Sequence, residues 1–149
     1  MSFSFRTFFL RLTLSFSLLM IVAFTFGCKE PVFKDSKKVF GNSVEFEFPL
    51  DISNPIYDIK VQIRYSYGYG FALEKLIGEI ISPSGKKYSA WTLLSAGKAE
   101  RVGSGLKSLY FQNVKSEKGT FKLLINKRPG LIKLERATLK IYVGEDKND

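Results

Sequence analysis

The sequence predicts an all-β domain, an antiparallel β-sandwich of jelly-roll type with about seven to eight strands. Three observations predict it. Apolar and polar residues alternate with period 2 in the runs 44–48, 59–67, 120–126 and 137–143, as strands do when one face meets a core. Turn signals built on Pro and Gly separate the runs at spacings of about ten residues, the rhythm of a sandwich. The apolar residues are mainly Phe, Tyr, Val and Ile, which suit a pleated surface better than a helix.

The chain opens on something else. Residues 1–27 hold Arg6 and Arg11, no acid, and an apolar stretch from Leu12 to Phe26. A basic start, an apolar middle and a small residue before the cut form a secretory signal. Cys28 follows Gly27 and is the only cysteine of the 149 residues. The Gly27-Cys28 junction resembles a bacterial lipobox, so the expected partner of Cys28 is membrane lipid. Acyl chains on its sulfur and freed amino group would anchor the mature chain, since stable anchoring takes about two chains. Two alternatives stand beside this. A retained helix would be short, because a bilayer needs about 20 apolar residues. Plain export would leave a lone thiol in an oxidising compartment.

Residues 28–43 are expected to be the lipidated cysteine and a polar tether, with Val32-Phe33 and Val39-Phe40 able to dock on the domain. The sandwich is expected over 44–144. Val44-Glu45-Phe46-Glu47-Phe48 alternates strictly and Pro49 ends it. Ile59, Val61, Ile63, Tyr65 and Tyr67 share one face of the next strand, and Gly68-Tyr69-Gly70 breaks it. Residues 71–81 read as a strand, with a short helix as the alternative. Leu73, Leu76, Ile77, Ile80 and Ile81 have helical spacing, whereas Gly78 and the following Ser82-Pro83-Ser84-Gly85 turn favour a hairpin strand. Beyond that turn Tyr88, Ala90 and Thr92 alternate with Ser89 and Trp91. Trp91, the only tryptophan, is expected in the core or at its rim. Residues 97–107 read as a glycine-rich loop, and 109–114 as a short strand. Thr120 to Asn126 puts Phe121, Leu123 and Ile125 on one side. After Pro129-Gly130, Leu134, Ala137, Leu139, Ile141 and Val143 close the core. The polar tail 145–149 is expected to fray.

Composition excludes more chemistry than it offers. There is no histidine, which removes Ser-His and Cys-His catalysis and the commonest zinc ligand. The acidic residues sit on polar strand faces or beside turns, so no carboxylate pair is expected to work as acid and base. We therefore expect no enzyme activity, no cofactor and no metal site. Charge is uneven. Residues 28–97 carry 9 Lys/Arg and 8 Asp/Glu, and residues 98–149 carry 12 and 6. For an exported chain this points away from nucleic acid and toward anionic glycolipid or envelope proteins. The candidate cations are Lys122, Lys127, Arg128, Lys133, Arg136 and Lys140, with Lys127 and Arg128 at a loop and Lys122 pointing outward. The alternative is plain solubility. The second candidate contact is the run Tyr65, Tyr67, Tyr69 and Phe71, where aromatics with small spacers can stack on sugars or anchor an interface. Its alternative is that Tyr65 and Tyr67 simply continue the core face.

Residues 32–143 resemble the gliding-motility lipoprotein family of the GldH type. The shared points are Val32-Phe33 soon after the cysteine, the alternating Phe strand at 44–48, Tyr57-Asp58-Ile59, Arg64 leading into Tyr65-Ser66-Tyr67, Pro83-Ser84-Gly85-Lys86, Gly103-Ser104-Gly105 and Gly119-Thr120-Phe121. The resemblance implies a non-enzymatic accessory lipoprotein of the bacterial envelope, lipid-anchored to the outer membrane, that binds partner proteins of a gliding or secretion machinery. A carbohydrate- or glycolipid-binding sandwich is the alternative.

Overall fold

The computed structural model describes residues 29–96 and 102–145. Cys28, the signal segment, part of the 97–107 loop and the end of the tail lie outside the described residues. Among the described residues eight strands follow one another: β1 (Phe33–Lys38), β2 (Ser43–Pro49), β3 (Ile56–Tyr67), β4 (Leu73–Ile81), β5 (Lys87–Ser95), β6 (Gly103–Lys115), β7 (Thr120–Lys127) and β8 (Ile132–Val143). They form two four-stranded antiparallel sheets, β1-β8-β3-β6 and β2-β7-β4-β5. Successive strands mostly switch sheets, and the first and last strands pair. This is the double-sheet order of a jelly roll.

Alternation builds the core. Phe46, Phe48, Ile59, Val61, Ile63, Leu76, Ile80, Phe121, Leu123 and Ile125 all point between the sheets and are fully buried. Two bulges reset the phase. In β6 the register shifts opposite Tyr57 and Ile59, so that Phe111 and Val114 both face inward. Asn113 takes up the extra residue with a φ of 55° and donates its N–H to Asp58 Oδ1 at 3.2 Å. In β8 the shift opposite Arg64 and Tyr65 turns both Leu134 and Ala137 inward. That explains the three-residue step between them in the sequence.

The ambiguous segment 71–81 is a strand from Leu73 onward. Gly78 does not interrupt it. Gly78 faces the core, and a Cβ there would lie 2.9 Å from both Leu109 Cδ1 and Phe111 Cζ of the opposite sheet. The glycine gives those two side chains their space. The expected tether also shortens. Residues 33–38 pair along β8 from Phe33↔Ile141 to Lys38↔Arg136, so the sandwich begins before residue 44. β1 is an edge strand, and its lysines both hide the strand pattern in the sequence and blunt the edge. Likewise β6 reaches back to Gly103, where Gly103 and Gly105 lie under the rings of Tyr67 and Tyr65. A side chain at either glycine would collide with a ring, so this pair belongs to a strand.

Among the described residues, every strand pairing and every core side chain lies at or after Phe33, within the compact unit Pro31–Asp149. That unit carries its whole fold itself.

Candidate functional site

The outward face of the sheet β2-β7-β4-β5 holds the candidate site. In β4, Leu73, Lys75, Ile77 and Glu79 face out; in β5, Trp91 and Leu93 do; in β7, Leu124 and Asn126. Register brings them together. Ile77 stands opposite Trp91 on one side and Asn126 on the other, Lys75 opposite Leu93, and Glu79 opposite Leu124. The result is an apolar patch of Leu73, Ile77, Trp91, Leu93 and Leu124, all exposed. Single exposed apolar residues need no explanation, but a contiguous set rimmed by charge does.

Trp91 is 63% exposed, which corrects its expected burial. The phase of β5 decides this: Tyr88, Ala90, Thr92 and Leu94 take the inward positions, so the odd-numbered residues face water. The Lys75 ammonium lies 4.9 Å from the centre of the Trp91 ring, a cation–π contact. Phe71, 75% exposed, precedes the start of β4 at Leu73 by two residues.

Beside the patch runs an open cleft of about 740 Å³. It exists because pairing of β4 with β7 stops at Leu76↔Lys127, while β4 continues to Leu73 and the other chain turns away through Arg128-Pro129. Leu73, Lys75 and Ile77 border one side, and Asn126, Arg128 and Pro129 the other.

At the inner end of the cleft sits an ion pair. Lys127 Nζ donates to Glu74 Oε2 at 2.7 Å and to the Arg128 carbonyl at 2.9 Å. The Ile132 N–H donates to Glu74 Oε1 at 3.0 Å. The Lys127 side chain is 0% exposed and that of Glu74 15%. Burial pushes the Glu74 carboxyl up, but the Lys127 hydrogen bond and charge, with the Ile132 and Leu131 N–H groups, outweigh it and hold the carboxyl below its ordinary range. Glu74 thus ties β4 to both ends of the β7–β8 turn, across the two sheets. A Cβ at Gly130 would run into its carboxylate, so the turn passes over Glu74 only as glycine.

This corrects the expectation for Lys127. It is no loop cation. It continues the inward phase of Phe121, Leu123 and Ile125, and only its ion pair makes burial tolerable. Arg128 does lie at the turn and borders the cleft. The aromatic run divides too. Tyr65 is buried, with its hydroxyl donating to the Ser95 carbonyl at 3.2 Å, and Tyr67 packs half-buried against the core, 6.3 Å from the Tyr65 ring. Tyr69 and Phe71 are exposed. Lys122 points outward as expected and pairs with Glu47 at 3.3 Å. Among the described residues no cluster of three Cys, Asp or Glu side chains is placed to hold a metal ion.

No protein-family model matches the chain, and no curated protein does. Solved structures match at low similarity. TmCBM61 in complex with β-1,4-galactotriose shares 16% identity at a TM-score of 0.41, over 70% of this chain and 62% of that one. The tripod from the baseplate of bacteriophage Tuc2009 shares 19% identity at 0.41, over 75% and 63%. A CocE/NonD family hydrolase from Staphylococcus aureus shares 7% identity at 0.36, over 79% and 32%. The chain thus spans less than two thirds of each of these structures.

Proposed function

We propose that this protein is a non-enzymatic accessory module of the bacterial envelope, anchored by lipid at Cys28, that binds a partner protein through the outward face of the β2-β7-β4-β5 sheet. One observation carries the binding mode: the patch is mainly aliphatic. Leu73, Ile77, Leu93 and Leu124 join a single tryptophan that stands on the edge strand β5. Sugar recognition has little use for aliphatic side chains, whereas an apolar centre with a charged rim suits a protein interface. The lack of histidine and the commitment of Glu74 and Lys127 to each other support a role without catalysis. The part in a gliding or secretion machinery that the family resemblance implies belongs to the same proposal.

A second reading rests on a different feature. Trp91 is exposed beside Lys75 and a cleft that Asn126 and Arg128 border, and a ring with polar groups around it can stack on a sugar. The two readings part at Ile77 and Leu93. Affinity purification of the chain from its native membrane is expected to yield a partner that an Ile77→Glu, Leu93→Lys form fails to retain. Trp91→Ala is expected to weaken that partner about 30-fold, as loss of an interface anchor worth ~2 kcal/mol does. A partner kept by the Ile77→Glu, Leu93→Lys form overturns the protein reading. Binding of a glycan lost only with Trp91→Ala establishes the second.

The anchor has its own measurement. Mass spectrometry of the N-terminal peptide is expected to start at Cys28 and to carry acyl chains. A peptide that begins upstream with a free thiol refutes the anchor and leaves the patch untouched.

A further inference from the structure

The opposite face of the sandwich is basic in an ordered way. Three neighbouring strands repeat one sequence pattern on their outward side, a cation, a neutral polar residue and a cation at alternate positions. β1 carries Lys34, Ser36 and Lys38; β3 carries Lys60, Gln62 and Arg64; β8 carries Arg136, Thr138 and Lys140. Register stacks them into rows. Lys34 stands opposite Lys140 and Lys140 opposite Lys60; Lys38 stands opposite Arg136 and Arg136 opposite Arg64. Between these rows lies Ser36–Thr138–Gln62, with Ser36 Oγ 3.0 Å from Thr138 Oγ1. At about 4.8 Å between strands and 3.4 Å per residue, each row is about 10 Å long and the two are about 14 Å apart.

Like charges directly opposite one another across strands are destabilising, and among the described residues none of these six cations has an ion-pair partner. Two carboxylates share the face. Asp58 accepts from the Asn113 N–H, and Glu135 projects from the β8 bulge. The other sheet pairs two of its outward lysines, Lys87 with Glu79 and Lys122 with Glu47, and sets a third, Lys75, over the Trp91 ring. The contrast makes solubility alone a poor account of the unpaired side.

We propose that the β1-β8-β3 face lies on an anionic lipid surface. Charge complementarity carries the first part of the argument, since each basic side chain near anionic lipid adds to attraction. The chain outside the sandwich carries the second. β1 is the edge strand of this sheet, and Cys28 precedes Phe33 by five residues, at most about 17 Å of extended chain. A bilayer holding acyl chains on Cys28 is therefore within reach of this edge. At the far edge, β6 exposes Leu106 and Tyr110 on the same side, with the Lys60 ammonium 5.2 Å from the Tyr110 ring centre, a pairing suited to a headgroup layer. The apolar patch, on the opposite sheet, then faces away from the membrane. The inference extends the envelope reading and rests on the Cys28 anchor for the second part, so the test omits the anchor.

Residues 29–149, which contain the whole sandwich, are mixed with vesicles of phosphatidylcholine alone or with anionic phosphatidylglycerol, across salt. Binding to the anionic vesicles only, fading as salt shortens the Debye length from about 10 Å at 0.1 M to about 3 Å at 1 M, is expected. Lys60→Gln, Arg64→Gln, Lys140→Gln is expected to weaken it about 100-fold, with melting temperature equal or raised. Should that form not fold, Lys34→Gln, Lys38→Gln, Arg136→Gln serves the same end. Lys87→Gln, Lys122→Gln on the other sheet is the control and is expected to bind nearly as wild type. Equal loss in both sets overturns the proposal, because net charge alone then explains binding. So does binding to a soluble anionic polysaccharide with none to vesicles, which assigns the face to a polymer.

Discussion

Replacing Lys127 by methionine is expected to lower stability by about 3–5 kcal/mol, because it leaves the Glu74 carboxylate buried without its counter-ion. The Lys127 side chain is 0% exposed and spends two hydrogen bonds, on Glu74 and on the Arg128 carbonyl. Adding Glu74→Gln to Lys127→Met is expected to restore most of the loss. A glutamine keeps an oxygen for the Ile132 N–H and carries no charge, and removing both members of a buried pair is often neutral. Acidity gives a second readout. The Glu74 carboxyl is held below its ordinary value of 4.5 in the folded chain. Its contribution is therefore present above that pH and is lost as pH falls through the lowered folded value. Denaturant titrations of the wild type should show this decline below pH 4.5, and Lys127→Met should show less of it. A Lys127→Met form as stable as wild type at pH 7 would mean that the pair is not formed.

Most of the sandwich was legible because period 2 is a strong signal. β2, β3, β7 and most of β8 follow it, and the Ser82-Pro83-Ser84-Gly85 turn marks the β4–β5 hairpin. Lys127 was legible in principle: the phase that puts Phe121, Leu123 and Ile125 inside puts Lys127 there too. A charged residue at such a position reads as the end of a strand until its partner is known, and Glu74 lies 53 residues away. β1 was hidden because one side of it packs on the domain while Lys34, Lys37 and Lys38 dominate its composition. Trp91 reads as core by the average burial of tryptophan, but the phase of its own strand turns it outward. The basic face is the instructive case. Its local pattern recurs on β1, β3 and β8, far apart in the sequence, and only the order β1-β8-β3 puts those three copies side by side. Charge counts by half of the chain gathered Lys122, Lys127 and Arg136 together, and the fold sends them to three different environments.

Two phenylalanines should separate the roles of core and patch. Phe121→Ala is expected to cost about 3–5 kcal/mol, as truncation of a fully buried aromatic does. Phe121 sits on β7, an inner strand, directly opposite Phe48 of β2, with ring centres 5.8 Å apart and planes 17° apart. Its removal opens a void that β2 and β4 can fill only by leaving their own pairing. Phe71→Ala removes the same side chain from a 75% exposed position and is expected to change stability by no more than about 0.5 kcal/mol. In binding the order should reverse. At temperatures where both are folded, Phe121→Ala should keep the partner that the patch retains, whereas Phe71→Ala, beyond the Leu73 end of the patch, should weaken it about tenfold, as loss of a contact worth ~1.4 kcal/mol does. Urea unfolding and partner titration of both variants check this. A Phe71→Ala form that binds as wild type confines the interface to β4, β5 and β7. A Phe121→Ala form as stable as wild type contradicts the core described here.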